Sequence, residues 1–153
     1  MPNYEPILAP VYPSIGFDEL GRLLREAGYD IEAIAQNPRP AYRMLTKPGF
    51  TIELTTPFNL RPGEYGVIHL WARMPLPPRI LADVLREMPL QCGFAHLLTD
   101  QRGNLVMCQH VVVAGGITAH YLRAQFWYWR KDLEQVCQEV RRSLAPSTGW
   151  RLH

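Results

Sequence analysis

The sequence predicts an α+β domain in which an antiparallel sheet carries helices on one face, in the order α-β-β-β-α-β-β-α. Three observations carry that expectation. Apolar residues recur at helical spacing in three segments, one near each end and one in the middle. Between them lie runs that alternate apolar and polar side chains, the period of a half-buried strand. Turn chemistry at Lys47-Pro48-Gly49 and Asp100-Gln101-Arg102-Gly103 joins consecutive runs into hairpins, and hairpins impose antiparallel pairing.

The chain opens with Pro2, Pro6, Pro10 and Pro13 in its first fifteen residues. Proline at that density blocks a helix, and the apolar residues between (Ile7, Leu8, Val11, Tyr12) suit an extended arm, residues 1–15, packed on something. The first helix is expected over Gly16–Ala27, with Leu20, Leu23, Leu24 and Ala27 on one stripe and Gly28 at the left-handed cap. Tyr29–Asn37 reads as extended chain or a short turn, closed by Pro38 and Pro40.

A hairpin of Ala41–Thr46 and Phe50–Thr55 follows. A three-residue loop would set Met44 opposite Ile52, Tyr42 opposite Leu54 and Arg43 opposite Glu53. The third strand, Glu64–Met74, turns Ile68, Leu70 and Ala72 to one face and His69, Trp71 and Arg73 to the other. The second helix is expected at Pro78–Glu87, with Ile80, Leu81, Val84 and Leu85 as its stripe. The second hairpin is Cys92–Thr99 with Asn104–Val113; a four-residue turn would pair His96 with Met107, Gly93 with His110, Cys108 with Ala95 and Cys92 with Val111. After Ala114-Gly115-Gly116, Thr118 caps a last helix to Arg142, about 39 Å long. Its stripe is Leu122, Phe126, Trp129, Leu133, Val136, Cys137 and Val140. Residues 16–144 thus form one domain, and 145–153 a tail.

Composition narrows the function. At 153 residues, 47% hydrophobic and 20% charged, the chain can bury one real core and is not disordered. Sixteen basic against fourteen acidic residues leave a net charge of +2, too balanced for a nucleic-acid or anionic-lipid binder. Lysine occurs only as Lys47 and Lys131, so arginine dominates the basic set and an arginine-bearing interaction surface is open to it. No run of apolar residues is long enough to span a membrane and no secretory signal is visible. Three cysteines without Cys-x-x-Cys spacing read as reduced thiols, so the expected location is the bacterial cytoplasm.

Catalytic and metal constellations are absent from this reading. His69, His96, His110 and His120 show no convergence, and the hairpin register expected above pairs no Cys with a His. Gly115-Gly116 has no following Lys-Ser/Thr and reads as a tight turn, not a phosphate cradle. No serine sits in a Gly-x-Ser-x-Gly elbow, and the acids read as solvated faces. The expectation is a non-enzymatic chain with no catalytic, cofactor or metal residues. The alternative from another class is a small-ligand binder or an enzyme with an unfamiliar site between the sheet and the last helix.

Two words of sequence carry a family resemblance: Leu23-Leu24-Arg25-Glu26-Ala27-Gly28-Tyr29 ending the first helix, and Ala114-Gly115-Gly116-Ile117-Thr118 opening the last. In this order the chain resembles the YbjN-type family, with its type III secretion chaperone-like fold, over about Ile15–Leu144. The resemblance implies a protein that binds other proteins: a sensory-transduction regulator beside a bacterial two-component system, or a dimeric chaperone-like holder of a client segment. It brings no catalytic residues. The proline-rich arm and the run Phe126-Trp127-Tyr128-Trp129 depart from the family pattern.

Aromatic residues remain after the core is filled. Ile117, Tyr121, Ala124 and Tyr128 form a second apolar line on the last helix, with Trp127 beside it and Arg123 and Arg130 at its rim. A helix lying on a sheet needs one apolar face, so this line is either covered by the arm or is a homodimer or protein-partner interface. Trp71 and Arg73 raise the same question on the open face of the sheet, beside Arg43 and Glu53.

Overall fold

In the computed structural model, residues 11–34, 39–56, 61–88, 91–92 and 95–145 are described. The alternating runs become strands because each can bury one row of side chains under the helices. In chain order the elements are β1 (Val11–Tyr12), α1 (Phe17–Glu26), β2 (Ile31–Ile34), β3 (Ala41–Met44), β4 (Thr51–Thr55), β5 (Val67–Met74), α2 (Pro78–Glu87), β6 (Gln91–Cys92), β7 (Ala95–Thr99), β8 (Leu105–Val112), β9 (Ile117–Thr118) and α3 (Ala119–Leu144). Seven strands form one antiparallel sheet in the order β2-β3-β4-β5-β8-β7-β6, and β1 pairs with β9 in a separate ribbon. The expected α+β class and helix–strand order are what the chain adopts. The expected order lacked the short strands β1, β2, β6 and β9.

One face of the sheet supplies Ile52, Leu54, Ile68, Leu70, Ala72, Leu97, Met107 and Val111 to the core. The helices cover it with Leu20, Leu23 and Leu24 from α1, Ile80 and Val84 from α2, and Leu122, Phe126, Trp129, Leu133 and Val136 from α3. The caps follow the sequence. Gly28 takes φ +88°, and the Tyr29 N–H donates back to Leu24 O at 3.0 Å, closing α1. Thr118 Oγ1 accepts from the Tyr121 N–H at 3.1 Å and opens α3. Gly115 and Gly116 take φ +96° and +104°, as a tight strand-to-helix turn requires.

Two hairpin registers differ from expectation. In the first, the pairs are Ala41 with Glu53, Tyr42 with Ile52 and Arg43 with Thr51. The Met44 N–H donates to Phe50 O at 2.8 Å and the Leu45 N–H to Asp30 O at 2.9 Å, so the loop is Leu45–Gly49, five residues and not three. The two extra loop residues slip the pairing by two, which leaves every side chain on its expected face. In the second, Asp100 and Asn104 close a loop of only three residues, with Gly103 at φ +77°. The pairs become His96 with Cys108, Leu97 with Met107 and Thr99 with Leu105. This one-residue correction is forced by burial, because it is the pairing that puts Leu97 and Met107 on the core face together. It also sets a His opposite a Cys, against expectation. The strand expected over 92–99 is in fact two, β6 and β7, turned on each other with Cys92 opposite Ala95. The third strand starts at Val67, not Glu64; Tyr65 instead bridges Ile15 with a pair of 3.0 Å backbone bonds.

Of the arm, Val11 and Tyr12 pair with Thr118 and Ile117 at the root of α3, and Ile15 is buried. The arm's first ten residues, the tail beyond Ala145, the side chain of Cys92, and Gly93 with its expected pairing to His110 lie outside the described residues.

Candidate partner-binding surfaces

α3 carries two apolar lines on different faces. The inner line is sealed: Trp129 meets Phe50 edge-on at 5.6 Å, and Phe126 meets Tyr29 at 6.3 Å. The outer line is not. Tyr121 is 50% exposed, Trp127 53% and Tyr128 44%. Trp127 and Tyr128 lie edge to face at 5.1 Å, and Lys131 Nζ stands 5.5 Å over the Trp127 ring. Beside this line, Arg123 reaches Glu26 at 3.7 Å and Arg130 reaches Glu134 at 3.2 Å, both at the surface. Towards the root of α3 the line runs into a groove of about 410 Å³ formed by Val11, Val112, Ile117, Thr118 and Tyr121. Val11 and Val112 are themselves exposed there, so β1 borders the patch near Tyr121 without burying it.

The second surface is the uncovered face of the sheet, on the side away from α3. Pairing sets Arg43, Thr51, Trp71, Cys108 and His96 in one row across five strands. Arg73 Cζ lies 5.5 Å from the Trp71 ring, and its Nε bonds Asp100 at 3.1 Å. The neighbouring row is Glu53, His69 and His110. His69 Nε2 and Thr55 Oγ1 are 2.7 Å apart, and the two imidazoles meet edge to face at 4.4 Å. Burial, helped by His110, pushes the His69 pKa below its usual value, which favours the neutral ring. This histidine pair was not foreseen, because nothing local links β5 to β8; their register alone brings the rings together.

The layer between sheet and α3 holds the buried Leu70, Met107, Phe126 and Trp129. Within it Gln109 Nε2 donates to Gln125 Oε1 at 2.9 Å, both residues buried, while Gln109 Oε1 and Trp129 Nε1 find no partner among the described residues. Periodicity marks Gln125 as inward-facing but gives no sign of its partner. Cys108 and Cys137 are half-buried thiols whose pKa burial raises, which makes them poor nucleophiles. Among the described residues no three His, Cys, Asp or Glu side chains gather as a metal site, and no helix is long and apolar enough to cross a membrane. The seven residues singled out in the sequence therefore divide between two faces: Tyr121, Arg123, Trp127, Tyr128 and Arg130 on α3, Trp71 and Arg73 on the sheet.

No family model matches the chain, and no curated protein matches it. Among solved structures, an uncharacterised protein from Methanothermobacter thermautotrophicus is similar, with a TM-score of 0.58 and 10% sequence identity over 84% of this chain and 98% of that one. At that identity the likeness shows a common fold alone.

Proposed function

We propose that this chain is a non-enzymatic, protein-binding adaptor or regulator of YbjN type, working in the cytoplasm as a homodimer and performing no chemical step. The observation that carries the reading is the exposed aromatic line of Tyr121, Trp127 and Tyr128 on a helix whose other face is already committed to the core. Tyrosine and tryptophan with flanking arginine are the side chains that dominate association energies. A two-fold interface repeats one patch on both subunits, and a long helix laid antiparallel on its copy does so with a single aromatic line. That leaves the open sheet face for a partner, such as a component of a two-component signalling system or a client segment.

Light scattering on purified protein, across a concentration series, tests the dimer. Trp127→Ala and Tyr121→Ala should each weaken self-association at least tenfold, about 1.4 kcal/mol, with an unchanged circular dichroism spectrum. A wild-type chain that stays monomeric at high concentration, or variants that associate as it does, would overturn the reading.

A further inference from the structure

We infer that the open face of the sheet holds a receptor cleft for an extended acidic segment of a partner protein, with Trp71 as its platform and Arg43 and Arg73 as its two anion anchors. The inference rests on the protein-binding reading and adds the chemistry of the partner. The cleft measures about 220 Å³ and is lined by Arg43, Met44, Phe50, Thr51, Trp71 and Arg73, with no acidic side chain among its lining residues.

The two arginines are held from outside the cleft. Arg43 is only loosely paired, Nη1 standing 3.8 Å from Glu32. Arg73 meets Asp100 through Nε, yet Asp100 is already engaged by its own turn. Its Oδ1 accepts from the backbone N–H groups of Arg102 and Asn104, both at 2.9 Å, and its Oδ2 from Asn104 Nδ2 at 2.9 Å. The ion pair with Asp100 engages Arg73 through Nε, one of five guanidinium N–H donors, and the remaining donors suit a second carboxylate in fork geometry. The cleft therefore presents two guanidinium groups with donors to spare beside one aromatic ring, and that donor set calls for a carboxylate-bearing occupant.

Spacing fixes the form of that occupant. Arg43 lies two strands from Trp71, about 10 Å, and Arg73 two residues along β5, about 7 Å. The anchors are thus separated by about 12 Å, close to the rise of four residues in an extended chain, about 13 Å. Carboxylates at positions i and i+4 of a strand point the same way, and so does the residue between them at i+2, which would lie on Trp71. A trough of this kind covers one side of a peptide and not the whole of a small molecule, which pockets for metabolites enclose.

The test uses a fluorescein-labelled dodecapeptide of three glutamate–serine–leucine–serine repeats, followed by anisotropy on the full chain at low salt. The wild type should bind it, and should bind the same peptide with glutamine for glutamate at least tenfold more weakly. Arg43→Glu with Arg73→Glu, and Trp71→Ala separately, should each cost at least tenfold. Trp127→Ala, on the other side of the molecule, should change peptide affinity less than twofold. Circular dichroism melting checks that every variant folds, and the glutamine peptide tests charge on the unaltered protein should any variant fail. The inference is overturned if the peptide does not bind, if the glutamine peptide binds as well, or if the folded charge-reversal variant binds undiminished. Tighter binding of a twelve-nucleotide oligothymidylate than of the peptide also overturns it. Loss of self-association in Trp127→Ala alongside any of these results would leave the adaptor reading standing while removing the acidic-segment receptor.

Discussion

Gln109 and Gln125 are polar groups in a layer otherwise built from Phe126, Trp129, Leu70 and Met107, and each is tolerable there only because of the other. Gln125→Met strands the Gln109 amide and should cost about 1–3 kcal/mol in urea unfolding, whereas Gln109→Met with Gln125→Met should recover most of that loss. A double variant no more stable than the single would deny the coupling. His69 gives a prediction in pH. Its folded pKa lies below the unfolded one, so the unfolded chain takes up a proton first as pH falls. The contribution of His69 is therefore fully present above about pH 6.5, the unfolded value, and is lost on acidification towards the folded pKa. The groups that set this environment are His110, Glu53 and Arg39. In urea titrations from pH 8 to pH 5, His69→Gln should show a shallower loss of stability than wild type. Parallel curves would contradict it.

At the scale of elements, α1 and β3 are joined by a contact that depends on one missing methyl. Tyr42 stacks on Phe17 with ring centroids 4.2 Å apart, and its hydroxyl donates to Phe17 O at 2.7 Å. A Cβ at Gly21 would overlap that hydroxyl and lie 2.8 Å from Tyr42 Cζ. Alanine is worth about 1 kcal/mol over glycine inside a helix, yet overpacking costs about 1–3 kcal/mol and the phenol would also lose its bond. Gly21→Ala should therefore lower the unfolding free energy by about 1–3 kcal/mol, and adding Tyr42→Phe should relieve part of the clash. A more stable Gly21→Ala protein would refute the packing.

The helices were legible in the sequence because stripe and cap lie within one segment: Leu20, Leu23 and Leu24 with Gly28, or Phe126, Trp129 and Leu133 with Thr118. β2 was not, since Ile31 is its only buried residue and a four-residue edge strand has no periodicity to read. The β7–β8 register escaped because it turns on one loop residue, and the rule that decides it, burial of Leu97 against Met107, acts through the core. For the site, exposure of Tyr121, Trp127 and Tyr128 followed from counting helical faces. The cleft of Arg43, Trp71 and Arg73 needed three strands placed side by side.

At the scale of the whole molecule, the sheet divides the protein into two sides, each of which leaves a surface outside the core. Core burial uses one face of the sheet and one line of α3, leaving an aromatic line outside α3 and an arginine–tryptophan cleft on the far side of the sheet. The near-neutral net charge fits this economy, since neither surface is a basic stripe. Two surfaces on opposite sides allow a dimer to form on one while a partner is held on the other. The most direct test of the aromatic interface is a dilution series of protein labelled with 5-fluorotryptophan, observed by fluorine NMR with Trp127→Phe to assign the resonance. If Trp127 lies in a self-association interface, its signal shifts or broadens with concentration while that of the buried Trp129 stays fixed. A Trp127 signal unchanged across the series, in a chain whose mass stays that of a monomer, would contradict it.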